Sequence, residues 1–225
     1  MSPRAYKLGQ RQAAIDETRG RVITAARELL VSADPGRFSI DAVAQKADVS
    51  RATVYYQFRS KLGLLEALFD SVAAAGGMAG LADAFGQPDP LAALDDYIAV
   101  FGRFWGSDRM LHRRLHGLAA LDPDLGEALL ARQEWRRRGA TALVSRFTEQ
   151  QGTPPAELQP DVIDVLFTVT SFETFDALAG ADKTPEAVVP LVQHLARAAV
   201  ALTARPVATD SARPASARRR RSAPR

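Results

Sequence analysis

Residues 39–61 read SIDAVAQKADVSRATVYYQFRSK and predict two short helices joined by a tight turn. Ser39 and Ser50 stand directly before the two helical patterns, and serine caps a helix by accepting a hydrogen bond from a free backbone amide. Asp48 falls in the turn, where φ is often positive and aspartate is tolerated. Val49 follows it and is expected to pack the turn against the core. The segment therefore predicts a helix-turn-helix.

The second helix of this segment is expected to bury Val54 and Phe58 and to turn its other side chains outward. Such a helix can lie in the major groove of DNA with its N-terminal residues on base edges. Arginine pairs with guanine and threonine with a base or a phosphate, whereas tyrosine and a lysine at a helix start suit phosphates. On these grounds the candidate DNA contacts are Arg51, Ala52, Thr53, Tyr55, Tyr56 and Lys61.

The composition excludes some chemistry and gives the chain a charge asymmetry. The chain has 225 residues and no cysteine, so disulfides, thiolate metal sites and a cysteine nucleophile are excluded. Residues 1–70 carry 11 Lys/Arg against 8 Asp/Glu, residues 71–204 carry 11 against 17, and residues 205–225 carry 7 against 1. The basic ends are thus expected to approach a polyanion. Because no secretory signal and no membrane span is evident, we expect a cytoplasmic protein without membrane contact.

Apolar residues recur at helical spacing through most of the chain, from Thr18 to Leu30 and again after Ser60. Residues 162–169 are β-branched enough for a strand, but the absence of a partner strand favours a helix. Later helices are predicted over 90–105, 108–118, 123–150, 160–179 and 185–204. The prediction is an all-α fold of about nine helices, divided into a partly disordered N-terminal arm (1–17), a helix-turn-helix domain (18–70), a helical body (71–204) and a disordered basic tail (205–225).

Residues 18–69 resemble the N-terminal domain of TetR/AcrR-family transcriptional regulators. The resemblance rests on a helix ending in Leu-Leu, then Ser-Ile-x-x-Val-Ala, then Ala-Asp-Val-Ser-Arg-Ala-Thr-Val-Tyr-Tyr-Gln-Phe-x-Ser-Lys, in that order. Two positions differ from the usual family pattern. Asp48 stands where the family usually has glycine, and Leu62 stands where it often has glutamate. The resemblance implies DNA contacts from the start of the second helix, the whole third helix and the lysine opening the fourth, namely Ser39, Ser50, Arg51, Ala52, Thr53, Tyr55, Tyr56 and Lys61.

The same resemblance implies a DNA-binding domain of three helices followed by a ligand-binding and dimerisation domain. It also implies that the protein is a repressor that binds a palindromic operator. It implies release by a small-molecule effector and requires no cofactor. The residue pattern independently supports dimerisation, because helices 160–179 and 185–204 are each apolar on more than one face. We therefore expect a homodimer through these two helices, forming a four-helix interface.

Bulky apolar and polar side chains of the central helices are candidates for the effector site. An aromatic set at helical spacing is more often core than cavity, and Arg136-Arg137-Arg138 is most simply a solvated helix face. Asp108, His112 and His116 share a helical face that could bind zinc, but the adjacent arginines would repel a cation, so no metal is predicted. The candidate ligand residues are Phe101, Trp105, Met110, His112, His116 and Trp135.

Two other functions stay open at this point. The first is an architectural DNA-binding protein that uses the basic run Arg218 to Arg221 in the tail. The second is a metal-dependent enzyme at Asp108, His112 and His116. The sequence contains no Ser/His/Asp order, phosphate-binding glycine loop or zinc-protease motif, so we do not expect an enzyme.

Overall fold

The computed structural model describes residues 3–32, 38–151 and 159–203, and it is all-α over these residues, as predicted. Two short 3₁₀ helices, Met78–Gly80 and Glu186–Val188, interrupt the α-helices. The described residues form eleven α-helices in chain order: α1 (Pro3–Val31), α2 (Ile40–Lys46), α3 (Arg51–Phe58), α4 (Lys61–Ala75), α5 (Leu81–Gly86), α6 (Pro90–Ser107), α7 (Arg109–Ala119), α8 (Pro123–Gln151), α9 (Gln159–Val169), α10 (Phe172–Ala179) and α11 (Val189–Thr203).

The helix count exceeds the predicted nine, and two boundaries differ. Helix α1 begins at Pro3 rather than at Thr18, and the short helix α5 was not predicted. The single helix predicted over 160–179 is wrong, because the chain breaks at Thr170 and Ser171. The Ser171 hydroxyl accepts a hydrogen bond from the Thr174 amide and so begins a new helix, α10.

Side-chain caps explain where several helices begin. The Asp89 carboxylate accepts from the amides of Leu91 and Ala92, and Pro90 fills the first helical position of α6. The Asp108 carboxylate accepts from the Leu111 amide and begins α7 directly after α6 ends. The breaks predicted at residue 107 and at Asp122-Pro123 are therefore present in the structure.

Three hydrophobic clusters hold the helices together. The first packs α1 to α4 and includes Val22, Val43, Val54 and Phe58; we call helices α1–α4 the head. The second packs α5, α6 and α8–α11, which with α7 form the body. The third cluster joins head and body through α1, α4, α7 and α8, so the two parts share packed side chains: Leu30, Leu65, Leu68, Phe69, Val72, Leu111, Leu115, Leu125 and Ala128.

Several sequence predictions fall outside the described residues. They are the stop at Asp34-Pro35-Gly36, the break at Gly152 to Pro155 and the basic tail 205–225. Within the described residues, no single helix is both long and apolar enough to cross a membrane. The pair Lys61–Ala75 and Met78–Gly86 would meet that test only if taken together, and the two are bent by 71°.

Candidate nucleic-acid interface and body cavity

The helix-turn-helix has the local geometry that its sequence predicts. The hydroxyl of Ser39 accepts a hydrogen bond from the Ala42 amide (3.2 Å), and that of Ser50 accepts one from the Thr53 amide (3.0 Å). Asp48 has φ 54°, the left-handed conformation expected of the turn. Val49 packs against the head cluster. These contacts fix the angle between α2 and α3.

Helix α3 buries one side and exposes the other. Val54 and Phe58 are buried in the head cluster, as expected from their spacing. Arg51, Ala52, Tyr55 and Tyr56 are exposed, and Tyr56 has 77% of its surface accessible. A bulky side chain so exposed gains little from the fold itself, so its surface is free for a partner. Four of the five α3 residues predicted to point outward are thus exposed, and the fifth, Thr53, is half-buried.

Arg51 is held in place by two neighbours. Its Nη1 donates to both carboxylate oxygens of Asp41 on α2, at 2.9 and 2.8 Å. Its Nη2 lies 3.4 Å from the Tyr55 hydroxyl, and its guanidinium stands 5.4 Å from the centre of that ring. The hydrogen bond with Tyr55 and the charge of Asp41 raise the pKa of Arg51 above its ordinary value. Asp41 could not be predicted from the sequence, because its pairing with α3 depends on how the two helices cross.

Thr53 has a structural partner as well as a predicted DNA contact. Its Oγ1 lies 2.8 Å from the Oγ of Ser50, so the two hydroxyls share a hydrogen bond at the start of α3. Thr53 is half-buried, whereas Ser39 and Ser50 are exposed. The three hydroxyl side chains therefore shape the ends of α2 and α3, and DNA contact would come in addition to that role.

Lys61, at the start of α4, is half-buried and pairs with the body. Its Nζ donates to the carboxylate of Asp122, in the turn between α7 and α8, and lies 3.7 Å from the carboxylate of Asp124. Burial raises the pKa of Asp122, but the hydrogen bond from Lys61 and backbone amides outweigh it, so the pKa stays below its usual range. The lysine predicted to hold a phosphate is thus already neutralised by the body.

A cavity of about 570 Å³ lies between helix α4 of the head and helices α6, α7, α8 and α10 of the body. Five of the six predicted ligand residues line it: Phe101, Trp105, His112, His116 and Trp135. Met110 does not line the cavity and is 49% exposed, because it occupies the opposite side of α7 from the buried His112. Further wall residues, not named from the sequence, are Glu66, Phe69, Phe104, Leu115, Arg132, Arg136, Arg138 and Phe172.

The two cavity histidines have protein partners. His112 is buried against the rings of Phe104 and Trp105, and its Nε2 lies 3.2 Å from the Phe104 carbonyl oxygen. Burial, with the nearby His116, lowers the pKa of His112 to about 4. The Nδ1 of His116 lies 2.5 Å from the Glu173 carboxylate, and this hydrogen bond lowers the pKa of Glu173 to about 2.

Asp108 also has protein partners, because its carboxylate accepts hydrogen bonds from Arg27 and from the Leu111 amide. Among the described residues, no group of three or more His, Asp or Glu side chains is placed to hold a metal ion. The Asp108, His112 and His116 series therefore serves as a helix cap and cavity wall.

Arg136 on α8 corrects the expectation of a solvated arginine face. It is only 5% exposed, whereas Arg138 is exposed as expected. Its Nη1 donates to the Phe167 carbonyl and to the Thr170 hydroxyl, and its guanidinium lies 4.0 Å from the centre of the Phe167 ring. Burial lowers the pKa of Arg136 to about 10. Three successive arginines have different surroundings because α8 turns each one toward a different neighbour.

Fold and surface together define the class of protein: a helix-turn-helix head with an exposed third helix, joined to an all-α body with a cavity. Residues 22–68 match the family model described as bacterial regulatory proteins, tetR family. SrpR, an HTH-type transcriptional regulator of Pseudomonas putida, is 41% identical over 59 residues, which are 26% of this chain and 28% of SrpR. TtgW, an uncharacterized HTH-type transcriptional regulator of the same species, is 42% identical over 55 residues, 24% of this chain and 41% of TtgW.

Solved structures extend the likeness to the body. A putative TetR-family regulator from Syntrophomonas wolfei is 12% identical with a TM-score of 0.64, over 83% of this chain and 96% of that chain. A TetR-like regulator from a Rhodococcus species is 22% identical with a TM-score of 0.55, over 82% and 96%. The TM-scores establish a shared fold, while the aligned segments span less than half of either curated relative. Residues 22–68 therefore match the tetR-family model, and the chain as a whole has the fold of these solved structures.

Proposed function

We propose that this protein is a sequence-specific DNA-binding transcriptional regulator, and that it represses its target until a small molecule enters the body cavity. The observation that carries the proposal is the exposed surface of α3, with Arg51, Tyr55 and Tyr56 outward on a segment that matches the family model. Arg51 and Thr53 would read base edges, and the two tyrosines would bind phosphates. Such a regulator acts in the cytoplasm, where the DNA is.

The test is a gel-shift or fluorescence-anisotropy titration with DNA from the promoter region of the protein's own gene. Arg51→Ala and Tyr56→Ala should each weaken binding by roughly tenfold or more, because a specific base or phosphate contact is lost. Arg197→Ala is the matched control, since Arg197 in the body also forms an exposed pair, with Asp95. Equal binding by all four proteins would overturn the proposal.

We infer that the active form is a homodimer that meets a palindromic operator with two heads. Helices α9 and α11 pack on each other, and large apolar side chains remain exposed on them, at Val165, Leu191 and Leu195. Leu191 and Leu195 are one helical turn apart, so they form one stripe. A second copy packed on this stripe would bury it. The proposed interface keeps the predicted helices, with 160–179 now divided between α9 and α10.

Sedimentation or light scattering tests the homodimer. Leu195→Glu would place a charge on the stripe without disturbing the buried core, and it should convert a dimer into a monomer. Leu130→Glu is the control, because Leu130 is an exposed apolar residue of α8 outside this stripe. A monomeric wild type, or an unchanged mass for Leu195→Glu, would overturn this interface.

Release by an effector requires a connection between cavity and head. Phe69, Leu115 and Ala128 line the cavity and also belong to the cluster that joins head to body. A molecule that displaces these side chains would shift α4, whose first residue is Lys61. Release then follows if the molecule binds the shifted form more tightly than the DNA-bound form.

A further inference from the structure

The cavity has an apolar interior and a charged mouth. Its buried wall is mostly aromatic, with Phe101, Trp105 and Phe172 nearly inaccessible. Its exposed lining residues, which mark the opening, stand on α4 and α8 and include Glu66, Arg132, Trp135 and Arg138. The volume of about 570 Å³ suits a small organic molecule. A bulky apolar group would fit the aromatic interior.

One cation is buried in this apolar wall, at Arg136. Its hydrogen-bond partners, the Phe167 carbonyl and the Thr170 hydroxyl, are both neutral, and both are reached from Nη1. No carboxylate of a described residue forms an ion pair with it. A buried charge without a counter-charge is costly, and a guanidinium has five N–H donors. Arg136 therefore keeps donor capacity at the cavity and has no direct ion pair with a described residue.

The remaining charges around the cavity form no direct ion pair with Arg136. Arg132 is already paired with Asp70, at 2.6 Å. The exposed Glu173 attracts Arg136 at longer range, while its carboxylate is bound directly to His116.

At the mouth, Glu66 and Arg138 are both exposed, and Arg138 forms no ion pair with another described residue. His112 adds no positive charge near neutral pH, because burial lowers its pKa to about 4. The charged residues that line the apolar interior are thus three arginines, Arg132, Arg136 and Arg138, and one carboxylate, Glu66.

We propose that the cavity binds an organic anion: a molecule with a bulky apolar body, placed against Phe101, Trp105 and Phe172, and a carboxylate or similar group that pairs with Arg136. The proposal rests on the proposed function, because it names the chemical class of the effector. Arginine suits this task, since its planar guanidinium can donate two parallel hydrogen bonds to a carboxylate. A cationic molecule of the same shape would meet the positive charge of Arg136, and a neutral one would leave Arg136 without an ion-pair partner.

The test is isothermal titration calorimetry of the full chain, without DNA, with three naphthalene derivatives of matched shape. These are naphthalene-2-carboxylate, 2-naphthalenemethanol and 2-naphthylmethylammonium. We expect the carboxylate to bind about tenfold or more tightly than the alcohol, and the ammonium to bind most weakly, as a charged hydrogen bond implies. Equal or tighter binding of the alcohol or the ammonium would overturn the proposal. So would an absence of carboxylate binding at about 1 mM ligand.

Three variants place the preference at one side chain. Arg136→Gln should remove the preference for the carboxylate over the alcohol, and Arg136→Lys should keep part of it because the charge remains. Arg137→Gln is the matched control, since the neighbouring Arg137 also lies over the Phe167 ring but does not line the cavity and pairs with Asp164. A preference that survives in Arg136→Gln would overturn the assignment to this residue. If Arg136→Gln does not fold, the Lys variant and the three-probe comparison still decide the question.

Failure of this inference is distinguishable from failure of the proposed function. Loss of the anion preference with intact operator binding would reject only the ligand class. Anion binding with no operator binding would reject the regulator and keep the anion site.

Discussion

The head and the body of this molecule carry their candidate sites in opposite ways. In the head, the predicted DNA contacts lie within residues 39–61, and most are exposed on a small cluster of buried apolar residues. The cavity is instead assembled from four helices of the body and helix α4 of the head, and its lining runs along the chain from Glu66 to Phe172. A surface site needs only a correctly shaped local segment, whereas an interior site needs distant helices to pack correctly. A substitution in one region should therefore affect the site of that region more than the site of the other.

The largest effect is expected at close helix contacts. A Cβ added at Gly63, in the first turn of α4, would lie 2.2 Å from the Phe58 carbonyl oxygen, so Gly63→Ala must push α3 away from α4. We expect a loss of about 3 kcal/mol in the free energy of unfolding and a loss of operator binding. Urea denaturation and the operator titration measure the two effects.

Gly102→Ala is the matched change in the body. There a Cβ would lie 2.3 Å from a methyl group of Val189, a side chain that can shift more easily than backbone. We expect about 1–3 kcal/mol of destabilisation and a smaller effect on operator affinity than that of Gly63→Ala. Equal losses of operator affinity in the two variants would contradict the separation of the two regions.

The second-largest effect is a pH dependence of the free energy of unfolding, which arises from His112 in the body. The pKa of His112 is about 4 in the folded chain, below the 6.5 of an ordinary histidine, chiefly because of burial. Between about pH 6.5 and about pH 4, the unfolded chain therefore binds a proton that the folded chain does not. Acidification across this range should lower the free energy of unfolding by about 3 kcal/mol at most through this residue.

Urea denaturation at several pH values checks this expectation. His112→Gln should flatten the pH dependence relative to wild type, while His194→Gln, at an exposed histidine of α11, should leave it unchanged. A wild-type slope that persists in His112→Gln would show that other groups carry the acid sensitivity.

The third effect compares two equivalent helix caps. Ser50 in the head and Ser171 in the body each accept a hydrogen bond from the amide three residues later, and each pairs with the hydroxyl of that threonine. Replacement of either serine by alanine should cost about 1 kcal/mol of stability. Ser50→Ala should also weaken operator binding, because α3 begins at this cap. Ser171→Ala should leave operator binding unchanged, and a comparable loss in both would contradict the local role of Ser50.

The head could be predicted from its sequence because its signals are local. Ser39, Ser50, Asp48 and Val49 each act within a few residues, so caps, turn and inward face were all predicted correctly. The cavity residues Arg136 and Glu66 could not be found in this way. The burial of Arg136 depends on the packing of α9 and of Thr170, which follows α9, over α8, and three adjacent arginines carry no sign of which one turns inward.

Similar reasons explain the other differences. The break at Thr170 and Ser171 was missed because apolar residues continue at helical spacing on both sides of it. Met110 was placed in the cavity because it is bulky and apolar, but only its position on α7 decides whether it faces inward. The pairing of Arg51 with Asp41 and that of Lys61 with Asp122 likewise depend on how the helices cross.

The smallest effect tests the ion pair of Lys61 with Asp122, one of several that join head and body. Lys61 donates to Asp122 and lies farther from Asp124, so a DNA phosphate would compete with Asp122 for the same ammonium group. Asp122→Asn removes that competing charge but keeps an oxygen to cap the Leu125 amide. We expect operator affinity to rise by about two- to fivefold, the range of a partly exposed ion pair.

Asp124→Asn removes the same charge from the neighbouring position, where the carboxylate is 3.7 Å from Lys61. Equal gains in the two variants would mean that general repulsion from DNA, and not the Lys61 contact, limits binding. Combining each change with Lys61→Gln completes the test, because the additional gain from Asp122→Asn should then disappear. If that gain persists without Lys61, this ion pair does not couple the body to DNA binding by the head. The coupling would then run through the shared apolar cluster around Phe69 and Leu115.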